Sequence, residues 1–421
     1  MKIAITSDIY YPMMNGVAVF ARNLAKGLVA AGHEVVVICP SFKGEHYEEM
    51  EKETGAKIVH MKSARFHLYP DQINKIPEKK EFLGMQMPRL AYKNGIWWAT
   101  SPYDELEEAL LSFNPDVIHL QTAETIAIAT VRFCKKYDVP LVSTGHAYPD
   151  NVTDQFPILK PVKKPVNAMV RAYMASFLKH AEYATMPTEL AIGDLVPKNR
   201  KHFTVPVEAL SNGIDLTEFK PGKPDEKVLK KYGLKTGVPR ALYVGRVDPE
   251  KSIEKVIIAF SGLATKLPEA ELVIVGDGIA LPKLRELAAE LDVAEKVKFL
   301  GKIVPPELIE IYRAGTVFVT ASETETQGIV LIEAAATGLP LIAVDAGAVG
   351  ELCRNRKNGI LCPVGDVEAI SRAIYKMLTD KALRQKYGRE SLEIAKKHDL
   401  SRTLARFIEI YKEAIALKSV K

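Results

Sequence analysis

Apolar residues in the first half of this chain fall into short blocks separated by segments with helical spacing. Residues 2–7 alternate as a strand does, 17–31 have the spacing of a helix, and 34–39 are again strand-like. Two further apolar blocks, 117–120 and 140–144, each follow a helix-like segment and fit buried parallel strands. The first part of the chain is therefore predicted to be α/β throughout.

The same plan repeats in the second half. The strand-like residues 205–210 run into Asn-Gly-Ile-Asp at 212–215, a turn-forming cluster where we place the domain boundary. A strand at 241–245 then opens a second α/β set. We predict an α/β protein with two domains, 1–210 and 211–399, followed by an amphipathic helix within 400–421.

Composition narrows the class of protein. The 421 residues are 47% hydrophobic and 26% charged, which is typical of a soluble globular chain, and the net charge of +5 does not favour nucleic acid as a partner. The apolar runs are too short to span a membrane, and the first residues show no secretory signal. We expect reduced thiols, a cytoplasmic location and no zinc site, because the four cysteines are scattered: Cys39, Cys134, Cys353 and Cys362.

A strand, a loop and a short helix within 316–340 carry the most suggestive chemistry. The helix at 329–337 is apolar on every face except at Glu333, so this carboxylate is expected to be buried and to need a partner. Glu325 lies in the preceding loop, where open α/β sheets place their ligands. An anion between the two carboxylates would face the backbone amides that open the helix, those of Gly328, Ile329 and Val330.

Two cations are predicted at the same edge of the second sheet. The strand at 241–245 delivers Arg246 and then Lys251, which together with a helix N-terminus suit a diphosphate. No metal is expected, because the sequence has no Asp-x-Asp pair, and no phosphate-binding Gly-x-x-x-x-Gly-Lys-Ser/Thr loop occurs. In the alternative interpretation, Arg246, Lys251 and Glu325 are solvated residues of surface loops.

The first loop of the chain does not fit a dinucleotide cofactor. Residues 8–16 contain one glycine, Gly16, where the dinucleotide fingerprint has three, so we expect neither nicotinamide nor flavin. Gly16 still permits close approach of a ligand to the backbone.

Two other segments admit two interpretations each. Residues 62–98 are irregular, aromatic and basic, and form either a long excursion over a cleft or a loop packed as a satellite cluster. Residues 156–179 place an apolar stripe on a helix, which either rests on an anionic membrane or packs on the core. The basic residues of the second segment are Lys160, Lys163, Lys164, Arg171 and Lys179.

Taken together, these motifs resemble the retaining glycosyltransferases of family 4, which have a two-domain B-type fold with Rossmann-like domains facing across a cleft. The resemblance covers nearly the whole chain. It is carried by Gly245-Arg-x4-Lys251, Glu325-x7-Glu333, residues 347–351, the Asp8-Ile-Tyr-Tyr-Pro loop and residues 212–215. Within the family, Gln327 in Glu-Thr-Gln-Gly is similar to the diacylglycerol glucosyltransferases.

The resemblance implies a role for each of these residues. Arg246 and Lys251 would hold the donor diphosphate, Glu325 the hydroxyls of the sugar, and Glu333 the ribose. His146 would lie beside the sugar and the acceptor. The chain departs from the lipid-modifying members after this histidine, because His146-Ala-Tyr148-Pro-Asp150 is one residue shorter than their usual run.

The implied reaction is a retaining transfer of a hexose, glucose from uridine diphosphate glucose, to a lipid hydroxyl such as that of diacylglycerol. The family mechanism uses a phosphate oxygen of the donor as the base, so it needs no cofactor and no second carboxylate, although Asp8 and Asp150 are formal candidates for one. The first domain, with the helix 400–421 packed back on it, would bind the acceptor at the inner face of the cell membrane, and the second domain the donor. The alternatives are a phosphatidylinositol-type, polysaccharide or soluble-sugar acceptor, and a non-catalytic module that binds a nucleotide sugar.

Overall fold

A computed structural model of the chain describes residues 1–13, 15–65, 81–82, 85–86, 97–146, 161–196 and 203–420. The chain divides into two compact units. The first comprises Met1–Ser211 and Thr403–Lys421, and the second comprises Asn212–Arg402. Each unit has its own sheet with helices packed on both faces, as the apolar strand pattern predicts.

The sheet of the first unit has eight strands in the order β12-β11-β10-β9-β1-β2-β4-β3. All neighbours are parallel except β3 and β4, and Ile3 pairs with Val35 and Val117 on its two sides. The predicted parallel sheet is confirmed. The strands of this sheet are β1 Lys2–Thr6, β2 Glu34–Pro40, β3 Tyr47–Met50, β4 Lys57–Met61, β9 Val117–Leu120, β10 Leu141–Thr144, β11 Tyr183–Met186 and β12 Val207–Ala209.

Four short strands lie within the aromatic and basic segment. Trp97–Ala99 (β8) pairs antiparallel with Ser63–Arg65 (β5), and Glu81–Phe82 (β6) pairs with Met85–Gln86 (β7). The rest of residues 66–96 lies outside the described part of the chain, so both interpretations of this segment remain predictions.

Helices cover both faces of the first sheet. Its core is continuous from strand residues such as Ile3 and Val37 to Phe20 and Leu24 of the first helix, all of them fully buried. The helices of this unit are α1 Gly16–Ala30, α2 Pro102–Phe113, α3 Thr125–Tyr137, α4 Lys163–Leu178 and α5 Glu189–Leu195. Among the residues that the structure describes, no helix is both long and apolar enough to cross a bilayer.

The second unit has a six-stranded parallel sheet in the order β15-β14-β13-β16-β17-β18. Its strands are β13 Arg240–Val244, β14 Glu271–Val275, β15 Val297–Gly301, β16 Val317–Val319, β17 Leu341–Val344 and β18 Gly359–Cys362. Its helices are α6 Glu226–Lys231, α7 Ile253–Ala264, α8 Leu281–Glu290, α9 Glu307–Ala314, α10 Ile329–Ala336, α11 Val349–Leu352, α12 Val367–Thr379 and α13 Lys381–Ala395. Because β13 and β16 are neighbours, the loops that follow them share one edge of the sheet.

The last helix, α14 Leu400–Ser419, completes the core of the first unit. Phe407 and Tyr411 are fully buried, and the Tyr411 hydroxyl lies 2.8 Å from Nδ1 of His119 in strand β9. Arg406 adds a charged contact to Glu208 at 2.7 Å. An amphipathic sequence at the C-terminus thus supplies one wall of a core whose other walls come from the N-terminal residues.

Candidate functional site

The loop after strand β13 presents two basic residues at the carboxyl edge of the second sheet. Strand β13 ends at Val244, and the loop continues through Arg246 into a single 3-10 turn at Pro249–Lys251. Helix α7 starts two residues after Lys251. A parallel strand followed by a tight loop and a helix therefore places both cations at the edge predicted from the sequence.

Lys251 and Glu325 form a close ion pair at this edge. The Lys251 ammonium lies 2.7 Å from the Glu325 carboxylate, and only 13% and 16% of the two side chains are exposed. Burial alone would raise the pKa of Glu325. The Lys251 charge and hydrogen bonds from Lys251 and Ser322 outweigh burial, so the pKa is lowered. Glu325 is therefore a carboxylate at neutral pH and can accept hydrogen bonds on both oxygens.

Arg246 also pairs with carboxylates. Its guanidinium donates to Asp248 and, at 2.5 Å, to Glu250. Local acidic residues therefore compensate the charges of both Arg246 and Lys251. A bound diphosphate would have to take over some of these contacts, which makes anion binding at this edge an exchange of partners.

The start of helix α10 has the features of an anion-binding terminus. Gly328 occupies the N-cap position with a φ of +79°, and no side chain of the described residues caps the helix. The first amides, those of Ile329 and Val330, therefore lack a side-chain acceptor at this terminus. A left-handed N-cap explains why glycine is needed here, since a Cβ would lie 2.7 Å from Leu331.

Glu333 lies on the wall of the same helix, as expected. Its carboxylate accepts a hydrogen bond of 2.7 Å from the hydroxyl of Tyr312, a partner that the sequence did not reveal. Burial raises the pKa of Glu333 to about 7 against the opposing effect of the Tyr312 hydrogen bond. The expectation that this carboxylate has a partner is confirmed, whereas the side chain is partly buried and not fully buried as predicted.

Two backbone contacts fix the loop that carries Glu325. The Gln327 side chain is buried and accepts a hydrogen bond of 3.3 Å from the amide of Asn212. Gly347 has a φ of +54°, and a Cβ there would lie 3.0 Å from the carbonyl oxygen of Glu325. Ala348 donates its amide to that same oxygen at 3.1 Å. The segments 212–215 and 347–351 therefore hold the Glu325 loop in place.

In the first unit, His146 follows strand β10 and meets a residue that the sequence did not single out. Its Nε2 lies 2.8 Å from Oε1 of Gln121, which follows strand β9. Burial lowers the pKa of His146 to about 3, so the ring is neutral at physiological pH.

In the same unit, Asp8 and Gly16 each lie at the start of a helix. The Asp8 carboxylate is buried and accepts hydrogen bonds from the hydroxyls of Thr122 and Thr125 and, at 2.8 Å, from the amide of Ile126. It thus caps helix α3. Gly16 is the first residue of helix α1, next to its N-cap.

A cavity of about 80 Å³ lies beside His146 and Gln121. Glu124, another residue missing from the sequence prediction, lines it, and burial together with the charge of Asp8 raises the pKa of Glu124 to about 8. The rule that pointed to Glu325 could have found both missing residues, since Gln121 and Glu124 also follow a parallel strand at its carboxyl end.

Helix α4 carries part of the predicted basic segment. Lys164 is exposed, Lys163 is partly buried, and Arg171 pairs with Asp194 at 2.8 Å. The apolar stripe is divided, because Phe177 is buried whereas 67% of Met169 and 45% of Tyr173 are exposed. Tyr148, Asp150 and Lys160 lie outside the described residues.

Comparison with known proteins adds evidence for both halves of the chain. A family model described as "Glycosyltransferase Family 4" matches residues 14–218, and one described as "Glycosyl transferases group 1" matches residues 224–393. The chain is 27% identical to the alpha-monoglucosyldiacylglycerol synthase of Streptococcus pneumoniae over 86% of this chain and 75% of that protein.

Other similar proteins differ in their substrates. The chain is 26% identical to a GDP-mannose-dependent alpha-mannosyltransferase of Mycobacterium tuberculosis, over 87% of this chain and 85% of the relative. The solved structure of sucrose-phosphate synthase from Thermosynechococcus elongatus superposes with a TM-score of 0.75 at 19% identity, over 99% of both chains. The last similarity concerns the fold alone.

Proposed function

Because this chain belongs to glycosyltransferase family 4 and has the two-domain B-type fold, we propose that it transfers glucose from a uridine diphosphate donor to a lipid hydroxyl such as that of diacylglycerol. The observation that supports the donor part of this proposal is the Lys251–Glu325 pair beside the uncapped start of helix α10. The coarser activity, transfer of a sugar from a nucleotide-sugar donor, follows from the family.

In the proposed donor site, each group of the protein binds a different part of the nucleotide sugar. Lys251, Arg246 and the first amides of helix α10 bind the diphosphate, while Glu325, released from Lys251 by that anion, accepts hydrogen bonds from the sugar hydroxyls. Glu333 binds the ribose. These roles are supported by the positions of the groups on one sheet edge and by the resemblance of their motif to the family.

The transfer proceeds with retention and without a metal. The bond between the anomeric carbon and the diphosphate oxygen breaks, and the acceptor oxygen bonds to the same face of that carbon. The acceptor proton passes to the departing phosphate oxygen. Lys251 and Arg246 stabilise the negative charge that develops on the diphosphate as it leaves.

Helix α4 supports the part of the proposal that concerns a lipid acceptor. This helix lines the cavity beside His146 through Met174 and Phe177, while Lys164, Met169 and Tyr173 of the same helix are exposed. We infer that this exposed side rests on an anionic bilayer at the inner face of the cell membrane, which makes the protein a peripheral, cytoplasmic one. The similarity to a glucosyldiacylglycerol synthase agrees with a lipid acceptor.

The decisive experiment for the proposed function is a matrix of donors and acceptors. UDP-glucose, UDP-galactose and GDP-mannose are each incubated with 1,2-dioctanoylglycerol, phosphatidylinositol, glycogen and glucose, and products are identified by mass spectrometry. We expect a glucosylated diacylglycerol from UDP-glucose. A product only with glycogen or a free sugar would contradict the lipid acceptor, and donor binding without transfer or hydrolysis would favour a binding module instead.

Membrane binding is predicted to depend on the exposed side of helix α4. Changing Lys164 to Gln together with Met169 to Ser should lower retention on vesicles of 30% phosphatidylglycerol by about tenfold, because each cation near an anionic surface contributes about 1 kcal/mol and the apolar contact adds to it. Retention is measured by co-sedimentation. Met50→Ser is the matched control, since Met50 is 64% exposed in the same unit. Equal retention of the double variant and the control would contradict the assignment of this surface.

A further inference from the structure

A second cavity lies at the amino-terminal edge of the second sheet. Its volume is about 270 Å³, and it is lined by the loop before strand β13, the end of helix α9, Thr316 before strand β16, and Arg384 of helix α13. Strand β13 has five residues, so its two ends lie about 13 Å apart. The cavity is therefore at the opposite edge of the sheet from Arg246, Lys251 and Glu325, and none of these three residues lines it.

The charged residues that line this cavity in the described part of the chain are all arginines. Arg240 begins strand β13 and is only 2% exposed, Arg313 lies in the last turn of helix α9, and Arg384 lies in helix α13. A guanidinium group keeps its charge over the whole pH range in which proteins are folded. Three permanent cations therefore meet at one small cavity.

Two of the three arginines are held in place by carboxylates. Nε of Arg240 donates to Glu271 at 2.8 Å, and its Nη2 donates to a main-chain carbonyl. Nη1 of Arg313 donates to Glu310 at 2.6 Å, and its Nε donates to another main-chain carbonyl. Within the described residues, Nη1 of Arg240 and Nη2 of Arg313 have no hydrogen-bond partner. Each of these oriented groups thus keeps one nitrogen for a ligand.

Arg384 has no carboxylate partner among the described residues. Its Nη1 donates to the carbonyls of Met377 and Leu378, at 2.8 and 2.9 Å, in the last turn of helix α12. Capping of this helix explains the position of Nη1, but it leaves Nε and Nη2 without a partner in the described part of the chain. The positive charge of Arg384 is therefore uncompensated, whereas those of Arg240 and Arg313 are paired.

The donors at this cavity fit a phosphate monoester better than a carboxylate. A planar carboxylate is satisfied by the fork of one guanidinium group, whereas the three terminal oxygens of a phosphate accept from donors on several sides. The three arginines come from three different elements, and Thr236 and Thr316 add hydroxyl groups to the lining.

The rest of the lining and the size of the cavity favour a small organic ester. The remaining side chains of this wall are apolar: Pro224, Leu229, Val238, Pro239 and Ala314. A volume of about 270 Å³ is slightly below the usual range for sites that bind drug-sized molecules. The cavity therefore suits a phosphate group with a short organic body and is too small for a whole nucleotide sugar.

We propose that this cavity binds the phosphate group of a small phosphate monoester. Arg384 neutralises the charge of the phosphate, Arg240 and Arg313 supply oriented donors, and the apolar wall contacts the organic part. The site is separate from the donor edge and does not depend on the proposed sugar transfer. Because it binds only the folded second unit, the ester stabilises that unit against unfolding while the donor edge stays open.

The test is a calorimetric titration of the full chain with four ligands at one ionic strength. They are glycerol 3-phosphate, inorganic phosphate, acetate and glycerol. We expect glycerol 3-phosphate to bind most tightly, inorganic phosphate less tightly because it lacks the organic part, and acetate at least tenfold more weakly than the ester. Glycerol should not bind.

Three results of this titration would overturn the proposal. If neither phosphate compound binds, the cavity is not an anion site. If acetate binds as tightly as glycerol 3-phosphate, the preference for phosphate is wrong. If inorganic phosphate binds more tightly than the ester, the ligand is the free ion and the role of the apolar wall is wrong.

A substitution of the uncompensated arginine tests the assignment of residues. Arg384→Gln should weaken binding of glycerol 3-phosphate about tenfold or more, because hydrogen bonds to charged groups are among the strong ones in proteins. Arg389→Gln is the matched control, since Arg389 is an exposed arginine of the same helix that does not line the cavity. Equal affinities of the two variants would overturn the assignment.

Thr236→Glu gives a second readout that keeps every arginine in place. Thr236 is exposed and lines the cavity, so the new carboxylate should leave the fold intact, pair with the arginines and repel the phosphate. We expect a loss of affinity of about tenfold or more with an unchanged circular dichroism spectrum. A folded Thr236→Glu protein that binds the ester as the unmodified chain does would contradict the proposal.

One further variant distinguishes this cavity from the donor edge. Lys251→Ala removes a cation of the proposed donor site, and the affinity for glycerol 3-phosphate should stay within about twofold. If Lys251→Ala abolished binding of the ester while Arg384→Gln did not, the phosphate would lie at the donor edge and the proposal would be wrong.

Discussion

Lys251→Ala is expected to lower turnover about 100- to 1,000-fold, the usual loss when one preorganised donor is removed from developing negative charge. In the structure, the Lys251 ammonium lies 2.7 Å from the carboxylate of Glu325, at the edge of the second sheet where we propose that the donor binds. The loss should appear in kcat for transfer and in the slow hydrolysis of the donor. Unchanged turnover would contradict the assignment of the donor site.

A matched control separates this effect from a loss of stability. Lys255 makes the same kind of pair, 2.7 Å from Glu323, one helical turn further along. Lys255→Ala should leave turnover within about twofold, because an ion pair outside the site contributes little.

A double variant completes the comparison. Lys251→Ala alone leaves the Glu325 carboxylate partly buried without its cation and should cost about 1–3 kcal/mol of the free energy of unfolding. Lys251→Met combined with Glu325→Gln removes both charges and should recover that stability without recovering turnover. Recovery of both would mean that the pair serves folding alone.

Glu325→Gln is expected to lower transfer by about 100-fold while the Kd for uridine diphosphate changes less than about threefold. The amide has one acceptor oxygen where the carboxylate has two, so it accepts fewer hydrogen bonds from the sugar hydroxyls. The nucleotide does not contact this side chain in the proposed arrangement. Calorimetry with uridine diphosphate and single-turnover transfer measure the two quantities.

Glu333→Ala is expected to affect nucleotide binding more than the rate of transfer. It removes the proposed ribose ligand and should weaken uridine diphosphate binding by about tenfold or more, with a smaller effect on the rate of transfer from the saturated enzyme. If both variants changed affinity and turnover in the same proportion, the separation into a sugar-binding and a ribose-binding carboxylate would be wrong.

The fold could be predicted because parallel strands leave a strong signal. Predicted blocks such as 117–120 and 241–245 lie in buried strands of a sheet, so nearly all of their residues are apolar, and the exception, His119, has buried hydrogen-bond partners. Helix α10 was predictable for the same reason, since it is apolar all round except at Glu333. The position of Glu325 followed from the rule that loops at the carboxyl ends of strands carry ligands.

The contacts of these residues could not be predicted in the same way. The pairing of Arg246 with Asp248 and Glu250 depends on the turn between them, whose geometry leaves no periodic pattern. The cavity beside His146 depends on several loops and helices that meet only in the folded unit. Hydrophobic periodicity indicates single helices and strands. It therefore does not predict a site whose residues come one by one from many elements.

The way in which helix α14 completes the first unit bears on how the protein is made. Phe407, Ile410 and Tyr411 fill the core formed by strand β1 and helix α1, yet the whole second unit is translated between them. While the ribosome is still adding residues 212–402, the first unit has an open apolar face and exposes it to chaperones or to aggregation. The core clusters of the second unit include none of the described residues 403–420, so we expect this unit to be able to reach its native state before the first one, against the usual N-to-C order of domain folding.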